Sequence, residues 1–200
     1  MAVLSARISH HHFPIKNLFI ILSGYRASHG IYKQSMDLIP IQRCTMRLKE
    51  NFTDIEWKNL ISLPYAVSMM VSLAVPDIMS MRSEMAVILS QPINLAAESG
   101  STLVGLVSAD LQSKGKRLII EQQDLIIRNK TGYRAKTLEN CKSVVVSLTK
   151  ISPDESLAYR KWIVAIGQKV AEAAIEHDVA ISDPEKATLN DISNALGMSG

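Results

Sequence analysis

Two hundred residues of which 47% are hydrophobic can bury one ordinary core, and the length sets one domain with room for an extra segment. The net charge of +3 conceals an asymmetry: residues 1–45 carry Arg7, Lys16, Arg26, Lys33 and Arg43 against Asp37 alone, a balance of +4, whereas residues 46–200 hold 17 basic and 18 acidic groups, a balance of −1. A near-neutral domain has no long-range field with which to gather phosphates, which excludes nucleic-acid binding as the expected main role.

Cys44 and Cys141 lie far apart with no second thiol near either, so reduced, structural thiols in a cytoplasmic protein are expected in place of a disulfide framework or a thiolate metal site. No membrane span is expected. The most apolar stretch, Leu60 to Val75, is interrupted by Ser62, Ser68 and Ser72 and framed by Pro64 and Pro76, which suits a buried core helix better than the ~20 apolar residues a bilayer requires.

Residues 1–45 sustain neither helical nor strand periodicity. They mix His10, His11 and His12 with Gly24, Gly30, Pro14 and Pro40 and one short apolar run, Leu18 to Leu22. They read as a poorly ordered N-terminal arm, an organelle-targeting presequence, or an extension that precedes a true start at Met46 or Met36, with the last reading preferred.

From Phe52 onward the periodicity is helical. Three hydroxyl residues are each followed three places later by glutamate: Thr53 with Glu56, Ser152 with Glu155, and Ser182 with Glu185. In that spacing the hydroxyl accepts from the third helical N–H while the carboxylate reaches back to the N–H of the cap. Phe52 and Trp57 staple the first start, and the helix is expected to break or kink at Pro64 before resuming from Tyr65 to Val75. Met81, Met85, Ile88 and Leu89 mark the face of a next helix, expected to kink or end near Pro92. A stripe through Leu103, Val107 and Leu111 is expected to end at a Ser113-Lys114-Gly115-Lys116 turn. Leu118 to Ile127 reads as helix in preference to two short strands, because Glu121-Gln122-Gln123-Asp124 contains no turn residue.

Ala135, Leu138, Cys141, Val145 and Leu148 give the next apolar face. A long helix from Pro153 to about His177 carries Tyr159, Trp162, Ile163, Ile166 and Val170 on one side and is expected to be the central helix of the core, with Trp162 at its middle. A last helix, Asp183 to Leu196, is expected to turn Ala187, Leu189, Ile192 and Leu196 inward and to close at Gly197. The expected fold is thus all-α, a compact bundle of about seven or eight helices over residues 50–200 behind the arm.

No constellation specifies a reaction. Ser113-Lys114-Gly115-Lys116 lacks the two-glycine frame of a phosphate loop, Ser99-Gly100-Ser101 lacks a nucleophile elbow, and His177 is the one histidine after residue 45, so a catalytic role is not expected. Glu176, His177, Asp178, Asp183 and Glu185 gather oxygen and imidazole ligands within ten residues, although not at EF-hand spacing. The basic residues Lys114, Lys116, Arg117, Arg128, Lys130, Arg134 and Lys136 have only Tyr133 interleaved and read as helix-end and loop charges. Met69, Met70, Met79, Met81 and Met85 could fill a core or line a groove for a partner helix.

Three segments carry a resemblance: Phe52-Thr53-x-x-Glu56-Trp57-x-x-Leu60, then Ala158-Tyr159-x-x-Trp162-x-x-x-Ile166-x-x-x-Val170-Ala171-Glu172-Ala173-Ala174, then Ser182-x-x-Glu185-Lys186-x-x-Leu189-x-x-Ile192-x-x-Ala195-Leu196-Gly197. Together they resemble an uncharacterised family of small bacterial helical proteins, and the last fifty residues are loosely similar to the tellurite-resistance TerB-type domain. That resemblance implies a helical bundle and a divalent-metal site near the acidic turn, which would here use His177, Asp178, Asp183 and Glu185; the Asp-Gly pair of that domain's turn is absent. The expected function is a non-catalytic helical interaction or adaptor protein that binds a protein partner or itself, with a TerB-like metal-binding protein as the alternative.

Overall fold

A computed structural model describes residues 47–75, 81–173 and 181–198. Among them the fold is all-α: α1 (Asp54–Ser72), α2 (Met81–Glu98), α3 (Thr102–Arg128), α4 (Lys130–Ser147), a 3-10 turn (Leu148–Lys150), α5 (Pro153–Ala173) and α6 (Asp183–Ala195). A helical turn at 47–50 precedes α1. The expectations for residues 1–45 lie outside the described residues.

The central helix is α1, not α5. Every residue from Leu60 to Val71 is buried, and α1 packs on each of the other five helices. The physical reason is that a helix apolar all round needs neighbours on all sides, whereas α5 keeps Lys161 and Lys169 in solvent. Its start follows the expected chemistry: Thr53 N donates to Glu56 Oε2 at 2.9 Å, Glu56 N donates to Thr53 Oγ1 at 3.3 Å, and the Phe52 and Trp57 rings lie 5.9 Å apart. Met69 and Met70 are buried along α1 and fill the core.

Neither proline expected to break, end or kink a helix brings its helix to an end. Pro64 lies inside α1 and Pro92 inside α2. A proline leaves the carbonyl four residues earlier without its helical donor; for Pro64 that carbonyl is Leu60 O, and the Tyr159 hydroxyl of α5 donates to it at 2.7 Å. At Pro92, Trp162 Nε1 donates to the proline's own carbonyl at 3.1 Å, which fastens α2 to α5.

The expected Ser113–Lys116 turn is also absent: α3 runs unbroken through it for 27 residues. Gly115 is buried there because the Tyr65 hydroxyl lies 2.8 Å from where a Cβ would stand, so the glycine makes room for a ring and does not make a bend. Leu118 to Ile127 is helical, as preferred from sequence.

Along α4 and into the 3-10 turn the buried stripe is Tyr133, Thr137, Cys141, Val144 and Leu148, displaced from the apolar-only reading; Ala135 is exposed, and Leu138 and Val145 are half-buried. Polar Tyr133 and Thr137 take inward positions that a hydrophobic count overlooks. The box at Ser152 forms only in part. Glu155 N donates to Ser152 Oγ at 3.4 Å, but the Glu155 carboxylate turns to the start of α3, accepting from Ser101 Oγ at 2.5 Å, Leu103 N at 2.9 Å and Thr102 N at 3.0 Å. Burial works to raise the Glu155 carboxyl, and these hydrogen bonds outweigh it, so it titrates below the usual carboxylate range.

The Ser182 box of α6 closes in full, with Ser182 N donating to Glu185 Oε2 at 2.9 Å and Glu185 N to Ser182 Oγ at 3.4 Å. Leu189, Ile192 and Leu196 face inward and Ala187 does not. Gly197 takes a φ of +65°, the left-handed closure expected of a helix-ending glycine. No described helix is long and apolar enough to cross a membrane.

Candidate functional site

Of the four residues proposed as metal ligands, His177 and Asp178 lie outside the described residues. Asp183 is exposed, with Lys186 Nζ 3.4 Å from its carboxylate. Glu185 is buried and its Oε2 accepts from both Ser182 N and Ser182 Oγ, the latter at 2.6 Å. The Glu185 carboxylate is engaged in starting α6 and that of Asp183 pairs with Lys186, and among the described residues no group of three or more histidine, cysteine, aspartate or glutamate side chains could hold a metal ion.

Cys141 is fully buried, and burial pushes its thiol up to about 12, so it stays protonated and packs as a small apolar side chain. Several members of the basic run are held in structural pairs. Lys114 Nζ lies 3.2 Å from Asp110, Arg117 Nε 3.4 Å from Glu121, and Arg134 spans α4 to α6 by donating to Thr188 Oγ1 and Asp191 Oδ2, both at 2.6 Å.

Two of the concavities among the described residues are large enough to consider, and they are built on different helices. The first is an apolar groove between the C-terminal end of α2 and the N-terminal half of α5, with a volume of about 400 Å³. Its floor is Trp162, whose indole is oriented by the bond to Pro92 O and by an edge contact with Tyr159, ring centroids 5.6 Å apart at 64°. Ala158 and Ala165 leave room beside the indole, Leu95 and Leu157 wall it, and Glu98 and Asp154 stand at its rim with Lys161. Leu157 is 39% exposed, so the groove opens to solvent with an unsheltered aliphatic side chain at its edge.

The second is a polar cleft where α1, α3 and α4 meet, of about 290 Å³. Four buried polar residues, Ser62, Gln122, Tyr133 and Thr137, contribute to its lining. The Tyr133 hydroxyl donates to Gln122 Oε1 at 2.8 Å and also approaches Ala66 O at 3.3 Å. Burial pushes the Tyr133 phenol well up, against the smaller opposing effect of the Thr137 hydroxyl beside it, so the ring remains a neutral donor. At the edges Lys58 pairs with Glu121 at 3.3 Å and Lys136 with Glu139 at 2.9 Å. The Lys136 hydrogen bond, aided by its charge, holds the Glu139 carboxyl below its usual range.

Sequence reasoning passed over both places. Gln122 was legible as a non-turn residue, yet a glutamine flanked by Leu118-Ile119-Ile120 and Leu125-Ile126-Ile127 occupies a core-facing helical position, and that placement is a signal for a buried amide needing a partner. No known protein family, characterised protein or solved structure matches this chain.

Proposed function

We propose that the helical domain is a non-catalytic interaction module that receives a short apolar segment of a partner protein, flanked by basic residues, in the groove between α2 and α5. The observation that carries this reading is the open apolar trough over Trp162, bounded by Leu95 and Leu157 and rimmed by two carboxylates, Glu98 and Asp154, against one cation, Lys161. An apolar hollow beside exposed carboxylates suits an aliphatic or aromatic anchor followed by lysine or arginine. The buried Met69 and Met70 lend it no support, since they belong to the core.

Selection of peptides from a displayed library on the full chain tests the reading, with light scattering on the same sample to reveal self-association. Enrichment of apolar anchors next to basic residues, lost on Leu157→Asp and on groove-filling Ala165→Trp, is the expected result. Absence of enrichment, binding indifferent to both substitutions, or self-association that buries the groove would overturn it.

A further inference from the structure

We infer that the cleft between α1, α3 and α4 is a second, separate site, which binds a neutral polyhydroxylated small molecule of monosaccharide or cyclic-polyol size. The cleft lies at the small end of ligand pockets, for which roughly 300–1,000 Å³ is typical, and its lining has a particular chemistry. Asn59, Gln122 and Asn140 present primary amides and Ser62, Thr137 and Ser143 present hydroxyls. Together they offer both donors and acceptors. An alcohol, which donates and accepts through one atom, is matched to such a mixed lining. An anion would call for a surplus of donors, and a cation for a surplus of acceptors.

The charges agree. Each lysine at the cleft already has a carboxylate beside it, Lys58 sharing Glu121 with Arg117 and Lys136 holding Glu139, so an anionic ligand would have to compete with those carboxylates for its cations. The buried amide is also oriented. Because Gln122 Oε1 accepts from Tyr133, its Nε2 hydrogens are the part of the amide left for a ligand oxygen, and Ser62, whose hydroxyl donates to Asn59 O at 3.2 Å, keeps its lone pairs as acceptors. Leu125, 47% exposed, and Ala66 are the two apolar members of the lining. They suit the C–H face of a sugar ring, which is apolar while its edge is polar.

The test uses the full chain labelled with nitrogen-15, titrated separately with D-glucose, D-ribose and myo-inositol, and with glycine betaine and sodium phosphate as charged competitors. The side-chain amide resonances of Asn59, Gln122 and Asn140 should move along a saturating curve with at least one polyol, while those of exposed Asn94 and Gln112 stay in place. Gln122→Leu should abolish the response. Should that variant fail to fold, Asn140→Ala at the cleft wall should weaken binding roughly five- to tenfold, as expected for one lost hydrogen bond. Non-saturating drift common to all amides, saturation by betaine or phosphate in place of the polyols, or a polyol response unchanged by Asn140→Ala would overturn the inference.

Discussion

The Tyr159 hydroxyl donates to the carbonyl of Leu60, the one carbonyl in α1 that Pro64 leaves without a helical donor. Both groups are fully buried, so without this bond the oxygen would have no access to water. The two positions should therefore be coupled. Tyr159→Phe is expected to lose about 1–3 kcal/mol, the usual penalty for leaving a buried acceptor unpaired. In a Pro64→Ala background, where residue 64 regains an N–H aimed at Leu60 O, the same substitution should cost distinctly less. Denaturant unfolding of the four proteins of this cycle measures the difference; equal losses in both backgrounds would refute the coupling.

Glycines inside α3 separate the two uses of a missing side chain. A Cβ at Gly105 would meet nothing within 4 Å, whereas one at Gly115 would stand 2.8 Å from the Tyr65 hydroxyl. Gly105→Ala should raise stability by about 0.5–1 kcal/mol through helix propensity alone. Gly115→Ala should lower it, because overpacking of about 1–3 kcal/mol outweighs the same propensity gain. Shifts of opposite sign in the unfolding midpoint are expected, and Gly115→Ala with Tyr65→Phe should recover part of the loss.

The contrast between what was and was not readable in the chain follows the range of the interactions. Capping at Thr53 and Ser182 was legible because donor and acceptor are three residues apart. The continuity of α1 through Pro64 was not, since the group that makes it tolerable lies on Tyr159, in another helix. Gly115 read as a turn for the same reason: its neighbour Tyr65 belongs to α1. Glu155 had a local job available at Ser152, but the three donors at Ser101, Thr102 and Leu103 gave its carboxylate more hydrogen bonds than a self-cap offers. The polar cleft draws its lining from three helices, so no local pattern could announce it. Trp162 was expected at the centre of the bundle; it is buried, but it lies beneath an open groove, and the alanines that make room beside it, Ala158 and Ala165, read locally only as good helix formers.

Acid should weaken the junction between the start of α1 and the 3-10 turn. The Glu56 carboxyl is held down to about 2, foremost by hydrogen bonds from Lys150 Nζ, 2.7 Å from both carboxylate oxygens, and next by Thr53 N. A carboxyl whose pKa is lower in the folded chain than in the unfolded one stabilises the fold fully above its ordinary value of 4.5, and this contribution drains away as pH falls through about 2. Lys150→Met should therefore lower stability at neutral pH and flatten its dependence on pH between those two values. Urea midpoints at a series of acidic pH values test this, and an unchanged slope in the variant would argue against the Lys150 contribution.

Trp162 belongs to the core and to the groove at once, and substitution at neighbouring positions separates the two roles. It is 3% exposed, its indole N–H is bonded to Pro92 O, and its ring packs edge-on against Tyr159. Trp162→Ala should cost about 3–5 kcal/mol, the usual loss for a buried large aromatic. Leu157, at the open edge of the same groove, has a side chain already partly in water, so Leu157→Asp should cost about 1–2 kcal/mol, less than the loss at Trp162. Equilibrium denaturation ranks the two. A mild effect at Trp162 would mean that the indole is a surface element with little part in the core, and a severe loss at Leu157 would mean that the groove edge is held by the fold and is not free to receive a partner.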